Sequence, residues 1–212
     1  MGTIRKGVLG GFSGKVGTVV GSNWKGVSYM RSLAEKIRNP RSPLQMVQRT
    51  KFALTISYLK PMNALLRVGW KLYGQGQSPM NAAVSYTLAN AITGVYPAYS
   101  IDPAKVLISC GGLTGVFNAT TTAVSGAVEF RWDDNSGIND AKQTDKALIA
   151  VVNPAKGEVI TDTAGADRMA GTQSVAMPAR WTGDTVETYL GFISEDGKEV
   201  ANSIYQGSIT VA

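Results

Sequence analysis

The sequence predicts an α+β chain: an N-terminal β-hairpin plus helices, followed by an all-β immunoglobulin- or fibronectin III-like sandwich. Three observations predict it. Two Ser-Pro dipeptides, Ser42-Pro43 and Ser78-Pro79, stand where helices begin, with a capping hydroxyl before a proline at the first helical position. From Val106 onward the apolar pattern changes to the period of strands. The charge divides as well: residues 1–75 hold thirteen Lys and Arg against one acid, Glu35, and residues 76–212 hold eight against fourteen acids. These signals place a basic hairpin and helical assembly region at 1–104 and an immunoglobulin-like sandwich at 105–212.

Gly7, Gly10, Gly11, Gly14 and Gly17 make the start of the chain glycine-rich, which reads as a turn-rich arm able to lie close to another surface. The run Leu9 to Val16 fails as a phosphate loop. That loop needs glycine where Leu9 stands and Ser or Thr where Val16 stands. Residues 15–33 read as a β-hairpin, with Val16, Thr18 and Val20 alternating, a turn at Ser22 to Gly26, and Val27, Tyr29 and Arg31 alternating again. Lys36 to Arg41 is a basic linker containing Asn39-Pro40. Ser42-Pro43-Leu44-Gln45 is a capping box, and the helix it opens runs to about Lys60, with Phe52, Ile56 and Leu59 on one face. Pro61 ends or restarts that helix. Residues 62–73 are apolar nearly all round, so they must be buried, against the sandwich or another subunit. A further helix runs from Ser78 to about Ile92, and residues 94–105 read as a connector.

Beyond it lie seven short strand segments: Val106–Ser109, Gly126–Trp132, Lys146–Val152, Glu158–Thr161, Gln173–Met177, Thr185–Ile193 and Ser203–Val211. Turn signals such as Asp134-Asn135-Ser136-Gly137 and Asp196-Gly197 separate them. Seven short strands in about a hundred residues is a sandwich pattern. Trp132 stands where such domains bury a tryptophan, and Tyr189 where a tyrosine corner sits.

The composition excludes much chemistry. The chain has no histidine and one cysteine, Cys110, so the common zinc sites, the Ser-His-Asp triad and the Cys-His dyad are missing. Cys110 has no flanking positive charge to lower its pKa and reads as a small core residue. Asp133, Asp134 and Asp140 share a loop, but their spacing does not match a calcium-binding loop and reads as a solvated turn. Asn118-Ala119-Thr120 is a glycosylation sequon, meaningful only after secretion. No catalytic constellation, cofactor, metal or small-molecule substrate is expected. No apolar run reaches the ~18 residues of a membrane span. Met1 to Gly21 lacks the apolar core of a signal peptide, so the expectation is cytoplasmic synthesis, with a virion or released particle as a later destination.

The stretch Lys6 to Gly21, then Trp24-Lys25-Gly26 and Tyr29-Met30-Arg31-Ser32, resembles an uncharacterised group of Bacteroidota proteins, the domain of unknown function 6266. Asn39-Pro40-Arg41-Ser42 with Gln45, Gln48, Arg49 and Phe52 is similar to the same group, as are Trp132, Asp134 to Gly137 and Asp145-Lys146-Ala147. The resemblance covers nearly the whole chain and implies no activity or established site. Basic N-terminal segments with an Asn-Pro-Arg-Ser/Thr helix start are similar to those of phage-like proteins, which implies virion or filament structure.

Three functions follow as expectations. The first is a non-enzymatic, self-assembling homo-oligomer, its interface drawn from Trp24, Tyr29, Leu65, Leu66, Trp70 and Tyr73. The second is non-specific nucleic-acid binding through Lys15, Lys25, Arg31, Lys36, Arg38, Arg41 and Arg49; these same cations are the alternative contacts for a protein partner. The third is ligand binding or adhesion by loops at one end of the sandwich.

Overall fold

The computed structural model describes residues 2–4, 7, 10–24, 26–35, 39, 41–73 and 76–212. Its contacts divide the chain into two compact units, Met1–Ser42 and Pro43–Ala212. The changes of charge and period along the sequence lie further on, near 75 and 105.

In the first unit, β1 (Thr3–Ile4), β2 (Phe12–Val16), β3 (Val19–Trp24) and β4 (Val27–Ser32) form one antiparallel sheet in chain order. Part of the glycine-rich stretch is therefore strand rather than free arm. A hairpin is present as β3 and β4, but the expected first strand through Val16, Thr18 and Val20 is a correction: Val16 ends β2, Gly17 and Thr18 form a turn, and β3 begins at Val19 and runs on to Trp24. Gly26 adopts positive φ between β3 and β4 (87°), a conformation glycine accepts without a Cβ clash. Gly21 answers a different need: a Cβ on it would lie 2.3 Å from the Phe12 carbonyl and against the Phe12 ring. Among the described residues of this unit no large apolar side chain is buried.

The second unit is α+β. It opens with α1 (Pro43–Leu59), which Pro61 stops by withholding an N–H; a 3-10 turn, Lys60–Met62, leads into α2 (Asn63–Gly69). After it comes α3 (Pro79–Asn90). The Ser78 hydroxyl accepts the Asn81 N–H at 3.2 Å, with Pro79 in the first turn, as the sequence signal requires. Where a connector was expected, β5 (Ile92–Val95) and β6 (Ala98–Ile101) form a hairpin, with a cis Tyr96–Pro97 peptide between them.

The remaining strands are β7 (Thr120–Val124), β8 (Ala127–Arg131), β9 (Lys146–Asn153), β10 (Glu158–Asp162), β11 (Thr172–Ala176), β12 (Thr185–Ile193) and β13 (Ile204–Thr210). They form two antiparallel sheets, β11-β8-β7 and β10-β9-β12-β13. The expected strand at Val106–Ser109 is a correction. That segment is buried but irregular. The Ser203 hydroxyl takes the Ile108 and Ser109 N–H groups at 2.9 and 3.2 Å, so these two donors are satisfied without a ladder.

The four-stranded sheet is covered on both faces. Ala147, Ile149 and Val151 of β9, with Val186, Leu190 and Phe192 of β12, meet Val128, Phe130 and Val175 of the other sheet in one core. The alternate residues Leu148, Ala150, Val152, Tyr189 and Ile193 meet Leu59, Met62, Leu65, Leu66, Trp70 and Ala83 of the helical layer in another. Double coverage explains why Lys146 to Asn153 reads as an almost unbroken apolar run. It also answers where the helices bury their surface. Gly69 marks the close approach: a Cβ there would stand 2.3 Å from the Ile108 carbonyl oxygen.

Candidate interaction sites

Strand register decides which N-terminal side chains share a face. Lys15 pairs with Val20, and Val20 pairs with Arg31. Ser22 pairs with Tyr29, and Trp24 with Val27. Directly paired residues and residues two apart along a strand point the same way, so Lys15, Arg31, Tyr29, Val27 and Trp24 lie on one face of the sheet. Each is exposed, Trp24 by 56%, Val27 by 67% and Tyr29 by 46%. β4 is exposed at every position, and it is the last strand in the order of this sheet among the described residues.

The other residues singled out from the sequence lie elsewhere. Arg41 is exposed ahead of α1, and Arg49 is exposed on α1 in the second unit. Lys25, Lys36 and Arg38 lie outside the described residues. Leu65, Leu66 and Trp70 are a correction to the expected interface: they are buried in the chain's own core against the four-stranded sheet, which accounts for their apolar character without a second copy. Tyr73 is exposed, its ring edge-on to Trp70 at 5.9 Å.

The loop acids each hold the local chain. Asp133 accepts from the Asn118 amide at 2.8 Å, Asp134 from the Ser136 N–H at 2.9 Å, and Asp140 from the Thr114 N–H at 2.9 Å. Cys110 is half-buried, and burial raises its thiol above the ordinary range, which disfavours the thiolate. Trp132 is buried as expected, edge-on to Phe192 and donating to the Arg168 carbonyl at 2.7 Å. Tyr189 does not form a tyrosine corner. Its hydroxyl faces the helical layer and donates to the Pro103 carbonyl at 3.0 Å.

A cleft of about 540 Å³ opens in the second unit, and no single sequence motif announced it. Leu54, Ser57, Tyr58 and Pro61 supply one wall, Tyr99 to Ile101 and Pro103 a second, and the β9–β10 hairpin with Glu187 the third. The Tyr58 and Tyr189 hydroxyls are 2.8 Å apart. Since Tyr189 gives its proton to Pro103, Tyr58 donates to Tyr189. Burial pushes the Tyr58 hydroxyl up to about 12 and raises Tyr189 further. Tyr205, its ring 5.4 Å from that of Tyr189, donates to the Glu187 carboxylate. Burial, then this bond to Glu187, raises Tyr205 as well.

The two lining carboxylates differ. Glu158 accepts from Arg180 at 2.8 Å and from the Trp181 indole at 2.9 Å, and these partners hold it below its ordinary range, the indole first. Glu187 has no ion-pair partner among the described residues. The sequence signal that could have found it is the two-residue spacing of Glu187 and Tyr189, which sets a carboxylate beside a phenol on the helix-facing side of β12.

These features define an α+β protein with an open basic and aromatic sheet and a separate acidic, tyrosine-lined cleft. The chain belongs to a family of unknown function, DUF6266, whose model matches residues 11–207. No curated protein matches the chain.

Proposed function

We propose that this chain is a non-enzymatic structural protein that assembles with copies of itself, its N-terminal unit supplying the contact. The observation that carries the reading is the exposed face of Trp24, Val27 and Tyr29 flanked by Lys15 and Arg31. A unit of about forty residues rarely stands without added bonds or a partner, and this one buries no large apolar side chain among its described residues. The partner's chemistry follows from the sequence: residues 1–42 carry eight Lys and Arg against one acid, whereas residues 76–212 of the second unit carry fourteen acids against eight Lys and Arg. Contacts between unlike surfaces of identical copies are head-to-tail, giving rings when they close and filaments when they do not. A virion or filament component fits that arrangement.

The test is the mass of the full chain and of Trp24→Ser/Tyr29→Ser by light scattering. Wild type should form oligomers and the double variant should dissociate into monomers, with unchanged circular dichroism from the Pro43–Ala212 unit. Equal masses for the two proteins would remove the N-terminal face from the interface.

A second reading has its own support. Aromatics beside cations on one open sheet face suit single-stranded nucleic acid, the rings stacking on bases and Lys15 and Arg31 meeting phosphates. Affinity for an oligonucleotide that failed to fall steeply with salt would count against it.

We read the two facing sheets as an immunoglobulin- or fibronectin III-like sandwich. Its first, second and fifth strands (β7, β8, β11) form one sheet, and its third, fourth, sixth and seventh (β9, β10, β12, β13) the other. Immunoglobulin constant domains group the first, second, fourth and fifth strands against the third, sixth and seventh. Here the fourth strand lies beside the third instead, and the other six are grouped in the same way.

A further inference from the structure

We propose that the cleft between α1, β6 and the β9–β10 hairpin is a socket for a lysine or arginine side chain from the basic N-terminal segment of a second copy. The inference rests on the self-assembly reading and supplies the surface that receives the contact. Three observations argue for a cation on an apolar stem. The first is the lining: Leu54, Pro61, Ile101 and Val152 form apolar walls beside Tyr58 and Tyr99, and the volume of about 540 Å³ accepts a long side chain with room to spare. Such walls suit the methylene stem of a Lys or Arg.

The second is charge. Among the lining groups, the Glu158 carboxylate already has Arg180 and Trp181, the Asn153 amide is bonded to Asp184, and the Tyr189 proton occupies the Pro103 carbonyl. Glu187 differs: among the described residues its carboxylate is met by a neutral hydroxyl, that of Tyr205, and a half-buried carboxylate in apolar surroundings favours a cationic neighbour. The third is that this wall already seats an ammonium: Lys51 Nζ lies 5.0 Å from the centroid of the Tyr99 ring, a cation–π distance. The occupant is identified by charge complementarity, since the N-terminal unit, residues 1–42, carries eight Lys and Arg against one acid, Glu35.

The experiment measures self-association of the full chain by sedimentation velocity for wild type, Glu187→Gln and Ser57→Arg. Ser57 is exposed on α1 at the cleft, so the arginine places a cation from the chain itself in the mouth of the socket. Both variants should weaken association by about tenfold or more, the scale of losing one partner of a half-buried charge pair. Should Glu187→Gln lower the unfolding midpoint through the lost Tyr205 acceptor, Ser57→Arg decides. Wild-type association in Ser57→Arg and in a stably folded Glu187→Gln overturns the socket and leaves self-assembly standing. A monomeric wild type overturns both.

Discussion

Arg168 and Asp145 form an ion pair with neither side chain exposed, their closest atoms 3.0 Å apart. The guanidinium also donates to the Thr114 carbonyl at 2.9 Å, the Gly115 carbonyl at 3.1 Å and the Asn135 amide oxygen at 2.6 Å, and lies 4.0 Å over the Phe192 ring. One side chain thus ties three loops to the core at one end of the two-sheet layer. Removing one member of such a pair leaves a buried charge uncompensated. Arg168→Met should destabilise the fold by about 3–5 kcal/mol in urea unfolding. The double variant Arg168→Met/Asp145→Leu should recover part of that loss, because no lone carboxylate remains. A loss under about 1 kcal/mol in the single variant would show that the cluster is better hydrated than its geometry implies.

The tyrosine network predicts a loss of stability in alkali. A tyrosine is neutral while protonated, and Tyr58 holds its proton up to about 12 in the folded chain against 10.0 ordinarily. Below the ordinary value both states are protonated and the stabilisation is fully present. As pH rises from about 10 to 12 the unfolded chain releases its proton first, so stability falls across that window. Tyr189 and Tyr205 are raised as well and act in the same direction. The urea midpoint should therefore drop between about pH 10 and 12, and Tyr58→Phe should shrink the drop. At neutral pH that variant should cost about 0.5–1.5 kcal/mol, the worth of one hydrogen bond.

Gly69 sets how closely α2 approaches the Val106–Ser109 segment. A methyl at this position meets the Ile108 carbonyl and the Ser109 backbone, neither of which can swing aside as a side chain tip would. Gly69→Ala should cost about 1–3 kcal/mol by overpacking, despite alanine's better helix propensity. A thermal midpoint equal to or above wild type would show that the helix can back away freely.

Much of the architecture was legible because local signals and burial agreed. Ser78-Pro79 marked α3, and Pro61 marked the end of α1. The apolar run of β9 marked a strand buried on both sides. Other elements were hidden by composition. β7 is threonine-rich and half-exposed, so it carries little apolar alternation. The β5–β6 pair is short and straddles a proline. Val106–Ser109 has the composition of a strand, but the Ser203 hydroxyl, far along the chain, meets its N–H groups instead. The basic and aromatic residues Lys15, Arg31, Trp24 and Tyr29 were visible, yet only the register showed that they share a face. The cleft was not legible as a unit, because Tyr58, Tyr99 and Glu187 come from three distant segments and nothing local records their meeting.

Salt separates the two contributions to the proposed contact. Exposed charge pairs are screened within about 10 Å at 0.1 M salt, whereas the apolar contribution of Trp24 and Val27 is not. Association should weaken several-fold between low and high salt without vanishing, as read by sedimentation at each ionic strength. Salt-independent association would mean that Lys15 and Arg31 take no part in it.

The most direct test of self-assembly is the mass of the full chain purified without nuclease, followed by light scattering across a wide concentration range together with its absorbance at 260 and 280 nm. Self-assembly should give particles that are multiples of 22.4 kDa with the absorbance ratio of pure protein. A monodisperse monomer of 22.4 kDa at every concentration, or a particle whose mass comes from bound nucleic acid, would contradict it.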